Sequence, residues 1–240
     1  MQALKTAVVL VVAAVCVMGM GRVAGAALII DDFNEAAMQT QVITILNPDP
    51  TLSKALAAGI LGGERDLLLD VMGASGLVAY SGSVGQGTFA FNSSQPGTAA
   101  TLQYDGIDVD VVGPPASLVN NEGLGGLDLT AGGSGFYLDF QSIDGGQTQM
   151  TALQIEVHGP GKSATFAGAI PDAGVPFSYV APFAAFSDPS VFSNVTSITV
   201  RINPAGARDV DFELDQVGVP EPGTLALVGL GLAALIRRKR

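Results

Sequence analysis

Between residues 28 and 217 the apolar positions recur every second residue, the spacing that puts one face of a strand in a core and the other in water. In TALQIEVHG, Leu153, Ile155 and Val157 alternate with Gln154, Glu156 and His158. In SITVRIN, Ile198, Val200 and Ile202 alternate with Thr199, Arg201 and Asn203. In DVDFELDQV, Val210, Phe212, Leu214 and Gln216 alternate with Asp209, Asp211, Glu213 and Asp215. Further strands are predicted at 27–33, 40–46, 65–72, 77–83, 87–93, 98–104, 107–112, 135–140 and 162–167, with Gly, Pro, Asn and Asp in the gaps. One helical turn is predicted over TLSKALAAGIL, residues 51–61, with Thr51 or Ser53 as its cap and Gly62 or Gly63 as its stop. Many short strands with one wet face predict an all-β, antiparallel two-sheet sandwich of jelly-roll type.

Composition agrees with strands and tight turns: 31 glycines in 240 residues, and only 14% charged residues against 48% hydrophobic. The charges are unevenly placed. Residues 27–219 hold five cations (Lys54, Arg65, Lys162, Arg201, Arg208) and 21 of the 22 acids, a formal −16. That field repels phosphate backbones and anionic lipid, so nucleic acid is excluded as a partner.

The two ends break the pattern. Lys5, the apolar stretch 6–18 and the small residues Ala24 and Ala26 read as a signal peptide over 1–26, an N-terminal signal helix for the general secretion machinery, cleaved before Ala27. The only cysteine, Cys16, lies inside it, so the mature chain is expected to lack any thiol. At the other end, GTLALVGLGLAALI (223–236) is uncharged but as a helix reaches only ~21 Å, against ~30 Å of hydrocarbon. Pro220 and Pro222 stop it from being extended backward, and Arg237, Arg238, Lys239 and Arg240 hold its end in the cytoplasm. Residues 217–240 thus read as a separate unit: a rigid Pro-Glu-Pro handle, a short transmembrane helix for transient insertion, and a basic end. Residues 27–216 are the passenger domain.

Val219, Pro220, Glu221 and Pro222, followed by the apolar segment and the basic cluster, resemble the PEP-CTERM sorting signal. The resemblance implies recognition and cutting by exosortase near the motif, export across the inner membrane of a Gram-negative bacterium, and a destination at the cell surface or in an exopolysaccharide matrix. The passenger, with IIDDF, GGERDLLLDV, ATLQYDG and DFELDQV, is similar to domains found on other PEP-CTERM proteins. Its opening DDF and closing LDQV also resemble the terminal strands of jelly-roll carbohydrate-binding modules, in which such paired strands share a structural calcium.

Chemistry is sparse. The single histidine, His158, lies on the polar side of a strand, and GGSGF (132–136) lacks the second glycine of a nucleophile elbow. There is no Trp, and four Tyr leave few platforms for sugar rings. Two oxygen-rich groups are calcium candidates: Asp31 and Asp32 meeting Asp215 if the terminal strands pair, and Asp105, Asp108 and Asp110 in DGIDVD. A solvated acidic edge that discourages strand aggregation accounts for the same residues. The expectation is a non-enzymatic structural or adhesive sandwich without a cofactor other than such calcium. A carbohydrate-binding module for exopolysaccharide and a glycoside-active enzyme stand as alternatives.

Overall fold

The structure is a computed structural model, and it describes residues 28–34, 39–43, 51–71, 80–85, 87–93, 96–107, 123–131 and 133–220. The predicted signal helix, the 223–236 helix and the basic end lie outside these residues. Among the described residues no helix is long and apolar enough to cross a membrane. Leu28–Pro220 forms one compact unit.

The described residues form thirteen strands in chain order: β1 (Leu28–Asp31), β2 (Gln39–Ile43), β3 (Thr51–Leu56), β4 (Glu64–Val71), β5 (Tyr80–Gly85), β6 (Thr88–Ser93) and β7 (Thr98–Tyr104), then β8 (Gly135–Asp144), β9 (Met150–Gly159), β10 (Lys162–Pro171), β11 (Phe177–Pro182), β12 (Ser197–Ile202) and β13 (Val210–Val219). They build two antiparallel sheets. The seven-stranded sheet runs β11-β8-β13-β6-β5-β2, with β1 also paired to β13, and the six-stranded sheet runs β10-β9-β12-β7-β4-β3. The predicted all-β sandwich is therefore the observed fold.

Period-two patterning makes the core directly. Leu67, Leu102, Val200, Ile155 and Phe166 are successive register partners across five strands of the six-stranded sheet, all buried. Opposite them, Val84, Phe89, Leu214, Phe140 and Phe177 form a row across the other sheet. Phenylalanines pack on one another in the interior: Phe89 meets its seven-stranded-sheet neighbour Phe212 edge-on at 5.4 Å, and Phe183 stacks on Phe192 at 3.9 Å.

Two expectations need correction. Residues 51–56 are a strand rather than a helical turn, because β3 lies along β4 with Lys54 opposite Asp66 and its ammonium 3.0 Å from Glu64. A single helical turn gains too little to outweigh a ladder and that ion pair. The phase of β13 also slips. Leu214 pairs with Phe140 but Gln216 pairs with Asp139, so Asp215 is an extra residue in a bulge, and Val217 rather than Gln216 faces inward.

A second bulge, in β1, has a larger effect. Ile29 pairs with Gly218 and Asp31 with Val217, leaving Ile30 extra; Ile29 faces out while Ile30 and Asp31 are both fully buried. Asp31 thereby points at β4, where the inward phase of Leu67 and Leu69 also brings Arg65 inside. Arg65 Nη1 donates to Asp31 Oδ2 at 2.6 Å, linking the two sheets. The Phe33 amide donates to Asp31 Oδ1 at 2.9 Å, and the Phe33 ring lies 5.2 Å from the guanidinium.

Breaking a buried pair leaves one charge uncompensated, which costs about 3–5 kcal/mol, whereas replacing both members with apolar groups is close to neutral. Denaturant unfolding of Arg65→Met is accordingly expected to show a loss of about that size, largely recovered in Asp31→Leu/Arg65→Met. Additive losses in the double variant would show that the charges do not act as a pair.

Candidate functional site

The outer faces of the two sheets differ. On the six-stranded sheet, Thr101, Arg201 and Gln154 form one row and Thr199, Glu156 and Thr165 another, a mixed polar surface. His158 sits there with Nε2 3.0 Å from Glu156.

On the seven-stranded sheet, the outward residues change character along the strands. One row is Val180, Tyr137, Gly218 and Ile29, with Val180 55% and Ile29 42% exposed. The next is Ser178, Asp139 and Gln216. Beyond the bulge come Ser142, Glu213, Ala90 and Ser83, and then Asp144, Asp211 and Asn92. These last two rows floor a groove of about 350 Å³ with Ala173 and Gly174 at its side.

Tyr137 is the only described aromatic residue directed to the outer face of a sheet; the phenylalanines are spent on the core. Its ring lies across its register partner Gly218, where a β-carbon would come 2.5 Å from Oη and 2.6 Å from Cζ. Glycine at 218 is what lets the ring lie down on the strand. Burial, and next the charge of Asp139, push the Tyr137 hydroxyl up to about 12, so it remains a neutral donor at physiological pH. Asp139 itself accepts a hydrogen bond from the Ser178 hydroxyl.

Asp211 is raised above the ordinary carboxylate range, first by burial and then by the charges of Asp144 and Asp209, and the Ser93 amide donating at 3.3 Å only partly opposes this. Asp144 accepts from the Gly146 amide at 2.8 Å. The face thus combines one half-buried aromatic ring, small residues that leave room above the sheet, and a line of carboxylates. Chemically it is an acceptor-rich surface with an apolar end.

The calcium candidates are dispersed in their roles. The terminal strands do pair, yet Asp31 is held by Arg65, Asp32 accepts from the Asn34 amide at 3.1 Å, and Asp215 occupies the β13 bulge. Asp105 is fully buried beyond β7, and Asp108 and Asp110 lie outside the described residues. Among the described residues no group of three His, Cys, Asp or Glu is placed to hold a metal ion. Of the sorting residues, Val219 is the buried last residue of β13 and Pro220 is exposed; Glu221, Pro222 and Arg237–Arg240 lie outside the description. Within the GGSGF run, Ser134 gives its carbonyl to the Phe183 amide and Gly135 starts β8.

Sequence reasoning named Asp211 and Glu213 as the wet side of β13, but gave no role to Tyr137, Gly218 or Asp144. The usable signal was the glycine inside an otherwise apolar strand end, which marks a close approach.

Residues 218–240 match the family model described as the PEP-CTERM protein-sorting motif. No curated protein matches the chain in sequence. Among solved structures the chain is similar to the family 11 carbohydrate-binding module of the cellulosomal cellulase Lic26A-Cel5E of Clostridium thermocellum, at 11% identity and TM-score 0.39, covering 81% of this chain and 94% of that one. The solution structure of CtCBM11 is similar at 11% identity and TM-score 0.37, covering 82% and 98%. An exo-beta-agarase is similar at 13% identity and TM-score 0.39, over 82% of this chain and 25% of that enzyme. Structural likenesses of this strength carry no argument about ligand or reaction. The motif match does carry one: the tail is a PEP-CTERM sorting signal, and the protein is exported as an exosortase substrate for surface or extracellular display.

Because the raised group is a carboxylate, the stability that protonated Asp211 lends the fold is fully present below its unfolded value of 3.8 and is lost as pH rises through the folded value. Asp211→Asn retains the Ser93 acceptor without the charge. It is expected to melt above the unsubstituted protein at pH 7, with the gap closing below pH 3.8. An equal gap at both pH values would place the effect elsewhere.

Proposed function

We propose that the exported domain is a non-enzymatic adhesive module of a Gram-negative surface or matrix, which holds extracellular polysaccharide on the outer face of its seven-stranded sheet. The observation that carries this is the Tyr137 ring laid across Gly218 at one end of a line of carboxylates. Pyranose rings offer an apolar face of C–H groups to an aromatic ring, while their hydroxyls need acceptors; Asp139, Asp144, Asp211 and Glu213 supply these along the same face. A formal −16 over residues 27–219 favours neutral or amine-bearing polymers over uronic acids, which the same charge repels.

The test is co-sedimentation of the purified domain with insoluble polysaccharides. Tyr137→Ala is expected to weaken retention at least ~10-fold, a loss of about 1.4 kcal/mol, with little change in melting temperature. Gly218→Ala lifts the ring and is expected to weaken retention similarly, while a flexible ring keeps the stability cost small. Retention by both variants equal to the unsubstituted domain would remove this face from the reading.

A second reading rests on Asp211, whose raised carboxyl beside Asp144 is the pattern of a proton donor next to a charged partner. It requires measurable glycoside turnover that Asp211→Asn abolishes.

A further inference from the structure

We infer that the outer edge of β10 is a pairing surface for the same edge of a second copy of this chain, and that Tyr179 and Ser187 hold it shut.

β10 is the outermost strand of the six-stranded sheet and runs for ten residues. β9 takes one of its edges over the full length, from Lys162 opposite Gly159 to Pro171 opposite Met150. Among the described residues no strand pairs with its other edge. Such an edge invites a further strand unless charge, proline or cover blunts it. Charge is not the device here, because Ser163–Pro171 holds no charged side chain, in a domain that is otherwise strongly acidic.

Side chains do the work instead. Thr165 turns both its backbone groups away from β9: its amide donates to Ser187 Oγ at 3.0 Å, and its carbonyl accepts from the Ser187 amide at 3.1 Å. Pairing groups alternate along an antiparallel strand, so Ala167, Ala169 and Pro171 face the same way as Thr165. The Ala169 amide donates to the Tyr179 hydroxyl, and Pro171 has no amide hydrogen to give. Ala167 lies exposed between the two plugs, and a single residue is too short a stretch for a new strand to pair with.

Tyr179 reaches this place from β11, at the edge of the opposite sheet. Its ring meets Phe166 edge-on with centroids 6.5 Å apart, and its hydroxyl lies over Gly168, where a β-carbon would overlap it. Burial raises the hydroxyl above its ordinary value and the Ala169 amide opposes this, so it stays uncharged at physiological pH. With the plugs removed, two β10 edges can pair antiparallel about Ala167. That register sets Thr165 of one copy opposite Ala169 of the other, small uncharged residues throughout, so no like charges meet across the new ladder.

The experiment is size-exclusion chromatography with light scattering on the exported chain over a concentration series, alongside hydrogen exchange. The unsubstituted protein is expected to run as a single copy with its Ala169 amide protected. Tyr179→Phe keeps the ring on Phe166 but removes the hydroxyl, and Ser187→Ala removes the other side-chain plug. The double variant is expected to associate at a concentration at least ~10-fold lower than the unsubstituted protein, with faster exchange at Ala169. Adding Ala167→Lys, which places like charges opposite each other at the two-fold, is expected to return it to a single copy. A folded double variant that stays single overturns the proposal, as does association that Ala167→Lys leaves unchanged. If the variants fail to fold, exchange on the unsubstituted protein decides: an Ala169 amide that exchanges as open chain overturns the proposal, and a protected one upholds the plug.

Discussion

The contact between Asp31 and Arg65 has no solvent to fall back on. Both side chains are wholly enclosed, so removing either one takes from the other a charge partner that water cannot replace, at a cost of several kcal/mol. Asp31 reaches the interior only because β1 bulges at Ile30, and Arg65 only because β4 holds it in phase with Leu67 and Leu69. A backbone irregularity in one sheet and a period-two register in the other must agree before the pair forms. Apolar packing alone tolerates small slips of one sheet over the other; a guanidinium 2.6 Å from its carboxylate tolerates far less. The pair therefore acts as a locator, with Phe33 closing over it.

From that fixed relation the outer faces follow. β13 carries Phe212, Leu214, Val217 and Val219 inward, so its remaining residues must form the exposed side of the largest sheet. Its bulge changes which residues those are. Before Asp215 the outward positions are Asp211 and Glu213, beside Asp144 and Ser142; after it they are Gln216 and Gly218, beside Asp139 and Tyr137. One extra residue divides the face into an acidic groove and an aromatic end.

Much of the architecture was written in the alternation of TALQIEVHG and SITVRIN, because both faces of β9 and β12 have constant environments along their length. The first half of β13 was legible for the same reason. Its second half was not, since a bulge has no composition of its own and Gln216 continues the apparent alternation. Residues 51–56 misled because Ala and Leu favour a helix locally, while the ladder to β4 and the Lys54 partners lie eight or more residues away in sequence. β11 went unrecognised behind Pro176 and Pro182, which read as loop but sit at the margins of an edge strand. Asp31 was rightly singled out as chemically unusual. Its partner was unguessable, because nothing near Arg65 says that a cation would be drawn inside by a carboxylate 34 positions earlier.

The pairing of Leu28 with Val219 also has a mechanical side. The first and last strands of the domain lie against each other, and the last is flanked along its length by β8 on one edge and by β6 and then β1 on the other. Tension applied at Pro220 runs along β13 in line with the strand, so hydrogen bonds on both edges are loaded in shear together instead of peeling one after another. A module hung from that residue resists being pulled out of shape in the direction from which a tether would pull.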